Sequence, residues 1–110
     1  MINKIKFEIL SKSNMTKIIS GKSLILKNNT NLNKIKDKIL ISKSLTPMDS
    51  PYLLYSLGGI IENGSYLSHM SIFAREKKIF LIKVDNINLF KNNKKLIIDF
   101  NKKTITIDNL

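Results

Sequence analysis

Cysteine is absent from the 110 residues. That removes any disulfide framework and any thiolate nucleophile, and it fits a reducing compartment, so the expected location is the cytoplasm. Histidine occurs once, at His69. With no second histidine, no cysteine and no paired carboxylate cluster, neither a zinc site nor a Ser-His-Asp triad is expected. No apolar run reaches the roughly 18–20 residues of a membrane helix. Met1 to Leu10 mixes Lys4, Lys6 and Glu8 among its apolar residues, which is unlike the apolar core of a secretion signal. No membrane association is expected. Glycine is scarce, four in all, and none forms a Walker-type loop. The length suits one domain spanning residues 1–110 and leaves no room for separate nucleotide and substrate domains.

Negative charge is also in short supply. Nineteen Lys plus Arg face eight Asp plus Glu, a formal net charge of +11. Arg75 is the one arginine, and arginine is the residue suited to bidentate reading of phosphates and bases. Lysine among abundant asparagine and isoleucine reads as a solvated basic surface. No specific nucleic-acid binding is expected; attraction to an acidic partner is the remaining expectation, and any binding to random duplex should collapse with salt.

What is present is an alternation of short apolar runs and turn formers. Ile5–Leu10, Ser23–Leu26, Ile39–Ile41, Gly59–Glu62 and Ile79–Val84 read as strands, and Leu96–Phe100 with Thr104–Ile107 reads as a closing hairpin around residues 101–103. Leu32–Asp37 reads as a turn or short helical segment after residues 28–31. A helix is expected from Asp49 or Ser50, with Pro51 in its first position, an apolar face of Leu53, Leu54 and Leu57, and an end at Gly58-Gly59. Asn63-Gly64 is a turn signal. A second helix follows the loop Ser65–Ser68, with Lys77 and Lys78 in its last turn, where positive charge complements the dipole. The pattern predicts a layered α/β domain with two main helices on a sheet of five or more strands.

His69 stands at the front of that second helix, and it is the one plausible chemical group. A lone histidine is ordinarily structural or a surface residue. Against that, backbone N–H groups at a helix start can receive an anion, and a neutral imidazole is a competent nucleophile.

The run Asn63-Gly64-Ser65-Tyr66-Leu67-Ser68-His69-Met70-Ser71-Ile72-Phe73-Ala74-Arg75-Glu76 resembles the mobile phosphohistidine domain of phosphoenolpyruvate-utilising enzymes. That family includes pyruvate phosphate dikinase, phosphoenolpyruvate synthase and enzyme I of the sugar phosphotransferase system. Its pattern is a glycine-rich turn, Ser-His, small residues, an aliphatic residue and Ala-Arg-Glu. Upstream, Thr46-Pro47, Pro51 and Gly59-Ile60-Ile61-Glu62 also match, and the closing strands extend the similarity over most of the chain. The resemblance implies a swivelling β/β/α fold with His69 as transient phosphoryl acceptor. It implies a carrier, or a detached subunit of a split phosphotransferase, needing a nucleotide-binding or phosphoenolpyruvate-binding protein in trans and no cofactor or metal of its own. The chain departs from the family pattern at four points. Asn63-Gly64 stands for Gly-Gly, Met70 for a small residue, and Lys78-Ile79-Phe80 for Gly-Ile-Pro. Leu67 takes the position of a regulatory threonine, so that control is expected to be absent. Met70, being bulkier, is expected to crowd the site.

Around His69, each further candidate carries a structural alternative. Ser68 is a phosphate contact or a helix cap; Arg75 a phosphate or partner contact or a fold-supporting ion pair; Glu62 an orienting carboxylate or a solvated turn residue. Gly64 belongs to the turn, and Thr46 to a neighbouring loop. Tyr52 and Tyr55 mark a docking face or ordinary packing. The functional alternative to the carrier is a non-catalytic interaction module that kept the fold and lost the chemistry.

Overall fold

Strand and helix patterning resolves, in a computed structural model describing residues 2–13 and 17–108, into one mixed sheet with helices on its outer face. The strands are β1 (Ile2–Lys6), β2 (Glu8–Ser11), β3 (Ile18–Ile25), β4 (Lys38–Ser42), β5 (Gly58–Ile61), β6 (Phe80–Lys83), β7 (Lys95–Asp99) and β8 (Thr104–Asp108). The helices are α1 (Leu32–Ile35), α2 (Ser50–Tyr55) and α3 (His69–Lys77), of which α2 and α3 are the main two. The α/β class with two main helices on a sheet of five or more strands is as the sequence predicts, and the described residues form eight strands.

The sheet order is β1-β8-β7-β3-β4-β5-β6-β2. β3 to β6 run parallel, joined by crossovers that carry the three helices. The other neighbours are antiparallel. β1 and β2 lie at opposite edges of this order, yet only Phe7 separates them. The sheet therefore curls until its two edges meet at that residue. The expected single strand Ile5–Leu10 is two strands for this reason. Phe7 is buried, its ring meets Phe100 edge-on at a centroid distance of 5.8 Å, and its N–H donates to the Lys103 carbonyl at 3.3 Å.

Period-two alternation sorts side chains between two cores. Ile39 and Ile41 of β4, Ile60 of β5, and Phe80 and Ile82 of β6 fill the inside of the curl with Leu96, Ile98 and Ile105. Their neighbours Ile61 and Leu81 point outward and pack under α2 and α3 with Leu10, Leu53, Met70 and Ala74. β3 begins earlier than the expected Ser23, because Ile19 packs on the inner core while Ser20 and Lys22 face out.

Two expectations about α2 are corrected. Only Leu53 is buried; Leu54 is 50% exposed and Leu57 37%. The helix ends at Tyr55, and Ser56 turns extended there, so Pro51 is its second residue and Gly58-Gly59 lie in β5. Gly58 is needed in the strand. Its φ is 154°, and a Cβ there would stand 2.2 Å from the Phe80 ring.

Candidate functional site

The site begins where β5 ends. The N–H groups of Glu62 and Asn63 both donate to the Lys43 carbonyl, at 3.1 and 2.7 Å, which bends the chain over the end of β4. Gly64 then passes Ile61 so closely that a Cβ would lie 2.7 Å from its Cδ1. Neither Asn63 nor Gly64 has a positive φ. The glycine serves close approach to the strand, and the turn at the Asn-Gly pair is made without a left-handed residue.

A cluster of three serines at spacing three builds the helix start. The Ser65 carbonyl accepts from the Ser68 N–H at 3.1 Å, the Ser68 hydroxyl at 2.9 Å and the Ser71 hydroxyl at 2.5 Å. Ser68 is the N-cap of α3, extended at φ −68° and ψ 157°. Its Oγ accepts from the Ser71 N–H at 3.4 Å and lies 3.0 Å from Ser71 Oγ. Ser71 is fully buried. Ser65 and Ser71 were not among the residues singled out in the sequence. Their signal was the repeat Ser-x-x-Ser-x-x-Ser, the reach of one helical turn.

His69 is the first residue of α3 and is exposed. Successive helical residues point about 100° apart, so His69 faces out while Met70, 3% exposed, enters the core beside Leu10 and Leu53. The expected crowding of the site by Met70 does not occur. The Ile72 N–H is taken by the Ser68 carbonyl at 3.0 Å and the Ser71 N–H by the Ser68 cap. The remaining first-turn donors, on His69 and Met70, lack helical acceptors by the geometry of a helix start. Tyr66 and Leu67 flank the position, Leu67 at 78% exposure.

Arg75 is half-buried and engages the fold on two sides. Its Nη1 donates to the Leu10 carbonyl of β2 at 2.9 Å, and its guanidinium lies 3.8 Å from the centre of the Tyr66 ring. It thus braces the loop that leads into His69, and among the described residues it does so without the ion pair considered from sequence. Glu62 accepts from the Ile87 N–H at 3.1 Å, holding a 3-10 turn (Ile87–Leu89) after β6. The Thr46 N–H and hydroxyl both donate to Asp49 Oδ2, at 2.8 and 3.1 Å, fixing the 3-10 turn (Pro47–Asp49) that opens α2. Gly64, Ser68 and His69 are therefore contiguous, Arg75 joins them through Tyr66, and Glu62 and Thr46 bond to other elements. Among the described residues no hydrogen bond joins Glu62 or Thr46 to His69. Asp49 and Tyr66 are the partners that sequence alone did not reveal.

Residues 34–103 match the family described as PEP-utilising enzyme, mobile domain. The chain belongs to that family. Membership supports a phosphoryl-carrier role in general terms. No curated protein matches the chain. Among solved structures, aconitase X from Thermococcus kodakaraensis aligns at a TM-score of 0.67 and 12% identity, over 98% of this chain and 100% of that one. A solution structure of a UPF0107 protein aligns at 0.66 and 12%, over 97% and 100%. An Enzyme I structure aligns at 0.58 and 24%, over 72% of this chain and 34% of that one. These three likenesses establish the fold. Among the described residues, no helix is long and apolar enough to cross a membrane.

Proposed function

We propose that this mobile domain, residues 1–110 acting as one swivelling unit, is a phosphoryl carrier or the detached subunit of a split PEP-utilising phosphotransferase, with His69 as the transient acceptor. The observation that carries the reading is the exposure of His69 at the first position of α3, behind the Ser68 cap and within the family match. In the charging step an imidazole nitrogen lone pair forms an N–P bond as the donor's P–O bond breaks, and the donor oxygen leaves with the electron pair. In the discharging step the acceptor oxygen forms the new P–O bond, the N–P bond breaks and the imidazole is restored. The donor is a nucleotide or phosphoenolpyruvate held by a partner in trans, in the cytoplasm. Phosphohistidine brings about two negative charges, and the open N–H groups of the first turn of α3 suit them. Ser68 and Gly64 shape that turn, Arg75 steadies it through Tyr66, and Glu62 and Thr46 hold the neighbouring loops.

The test is labelling. Purified protein is incubated in lysate of the source cell with labelled phosphoenolpyruvate and, separately, with γ-labelled ATP. Acid-labile, alkali-stable label mapping to His69, absent from His69→Ala with an unchanged melting temperature, is the expected result. Label that survives His69→Ala, or no label from either donor, overturns the reading and leaves a fold retained as an interaction module.

A further inference from the structure

The positive charge is not evenly spread. No lysine or arginine lies between Lys43 and Arg75, the segment that carries α2, β5 and the loop into His69. The lysines gather elsewhere, and three of them align. Lys22 of β3 is paired in register with Lys38 of β4 and with Lys95 of β7. Inner-core packing of Ile19, Ile39 and Leu96 puts the three lysines on the outer face, since side chains alternate along a strand. Lys22 and Lys95 are exposed and Lys38 is half-buried. Lys34 and Lys36 line a shallow recess beside Lys38, over Leu24.

Adjacent strands lie about 4.8 Å apart, so the row places three like charges within roughly 10 Å, close to the screening length at physiological salt. Like charges directly opposite in a sheet are unfavourable for the fold. The carboxylates nearest in sequence and register are Asp37 and Asp108, the latter paired with Lys95 on β8, and Asp108 has an interaction of its own. The row contains neither arginine nor an aromatic ring, so it offers no bidentate fork and no stacking platform for nucleic acid. Its spacing does match carboxylates three and four apart on a helix, which stand about 5–6 Å from one another.

We infer that the Lys22–Lys38–Lys95 face docks an acidic helix of a partner protein. The row lies at the first residue of β4, whereas the site loop is pinned to Lys43 just after its last. The two are roughly 15 Å apart along the strand. A partner held there leaves His69 uncovered. Such docking would tether a carrier to its partner, a role that rests on the reading of His69 above; the docking does not.

The experiment titrates the protein with a helical peptide bearing glutamates at i, i+3 and i+7, with a helical peptide of the same composition whose glutamates are spread around the axis, with phosphatidylserine vesicles and with single-stranded RNA. The striped peptide binds most tightly, and amide shifts concentrate on β3, β4 and β7. The triple variant Lys22→Gln, Lys38→Gln, Lys95→Gln loses roughly ten-fold in affinity, the scale of a few surface charge pairs. The control variant Lys12→Gln, Lys77→Gln, Lys102→Gln, with the same net charge, keeps most of it. Equal binding of the two peptides, an equal loss in the control, or tighter binding to vesicles or RNA overturns the inference. His69→Ala binds the striped peptide as the parent does, so loss of phosphorylation and loss of docking are read separately.

Discussion

Two positions with positive φ show opposite relations between residue and backbone. Lys78 ends α3 at φ 60°, its N–H donating to the Arg75 carbonyl while Ile79 reaches back to Ala74. A left-handed conformation costs an ordinary residue about 1–2 kcal/mol, and glycine escapes it at an entropic cost of roughly 0.5–1 kcal/mol. Lys78→Gly should therefore stabilise the protein by about 0.5–1 kcal/mol, read as a higher urea midpoint; an unchanged or lower midpoint contradicts the argument. Gly58 has no such freedom. Its φ of 154° and the Phe80 ring against it mean that Gly58→Ala should cost about 3 kcal/mol or more. A near-neutral Gly58→Ala in the same denaturation series would show that β5 and Phe80 shift apart easily.

The start of α3 is held by a shared acceptor. Because the Ser68 and Ser71 hydroxyls share the Ser65 carbonyl, and Ser68 Oγ also accepts from the Ser71 N–H, their contributions are not independent. Ser68→Ala should cost about 0.5–2 kcal/mol, as for an N-cap, and Ser71→Ala about 1 kcal/mol. The double variant should depart from the sum by roughly 0.5 kcal/mol or more; strict additivity in a double-mutant cycle would mean that the three serines act singly. Much of this element was legible in the sequence. The Ser68 cap, the helix behind it and the outward His69 follow from local chemistry and spacing, and the strands Ile39–Ile41 and Ile79–Val84 from continuous apolar runs. Other features were decided at a distance. Gly58-Gly59 reads as a helix stop until Phe80 is seen to need the space. Ser20 and Lys22 do not look like strand residues until Ile19 is placed in the core. The lysine row exists only through pairing, since Lys22, Lys38 and Lys95 are far apart along the chain.

On the scale of the whole molecule, closure of the sheet hangs on Phe7. Nothing local separates Ile5–Leu10 into two strands; the break is set by β6 and β8, both much later in the chain. Phe7→Ala removes a ring packed on Phe100 and should cost about 3–5 kcal/mol. Since the residue sits between the two seams, hydrogen exchange should quicken in β1 and in β2 alike. Quickening confined to one of them would mean that the corner does not couple the edges.

The same corner sets an order of events during synthesis. β1 and β2 are made before the other strands of this sheet, yet Ile2 pairs with Ile107 and Ile9 with Ile82. At about 5–20 residues per second, β1 waits roughly 5–20 s for its partner to be made. Until then its backbone donors and acceptors are unclaimed, and the nascent chain needs something to shield them. Charged side chains on a strand disfavour its pairing with other chains, and Lys4 and Lys6 in β1 and Glu8 in β2 stand on those waiting strands.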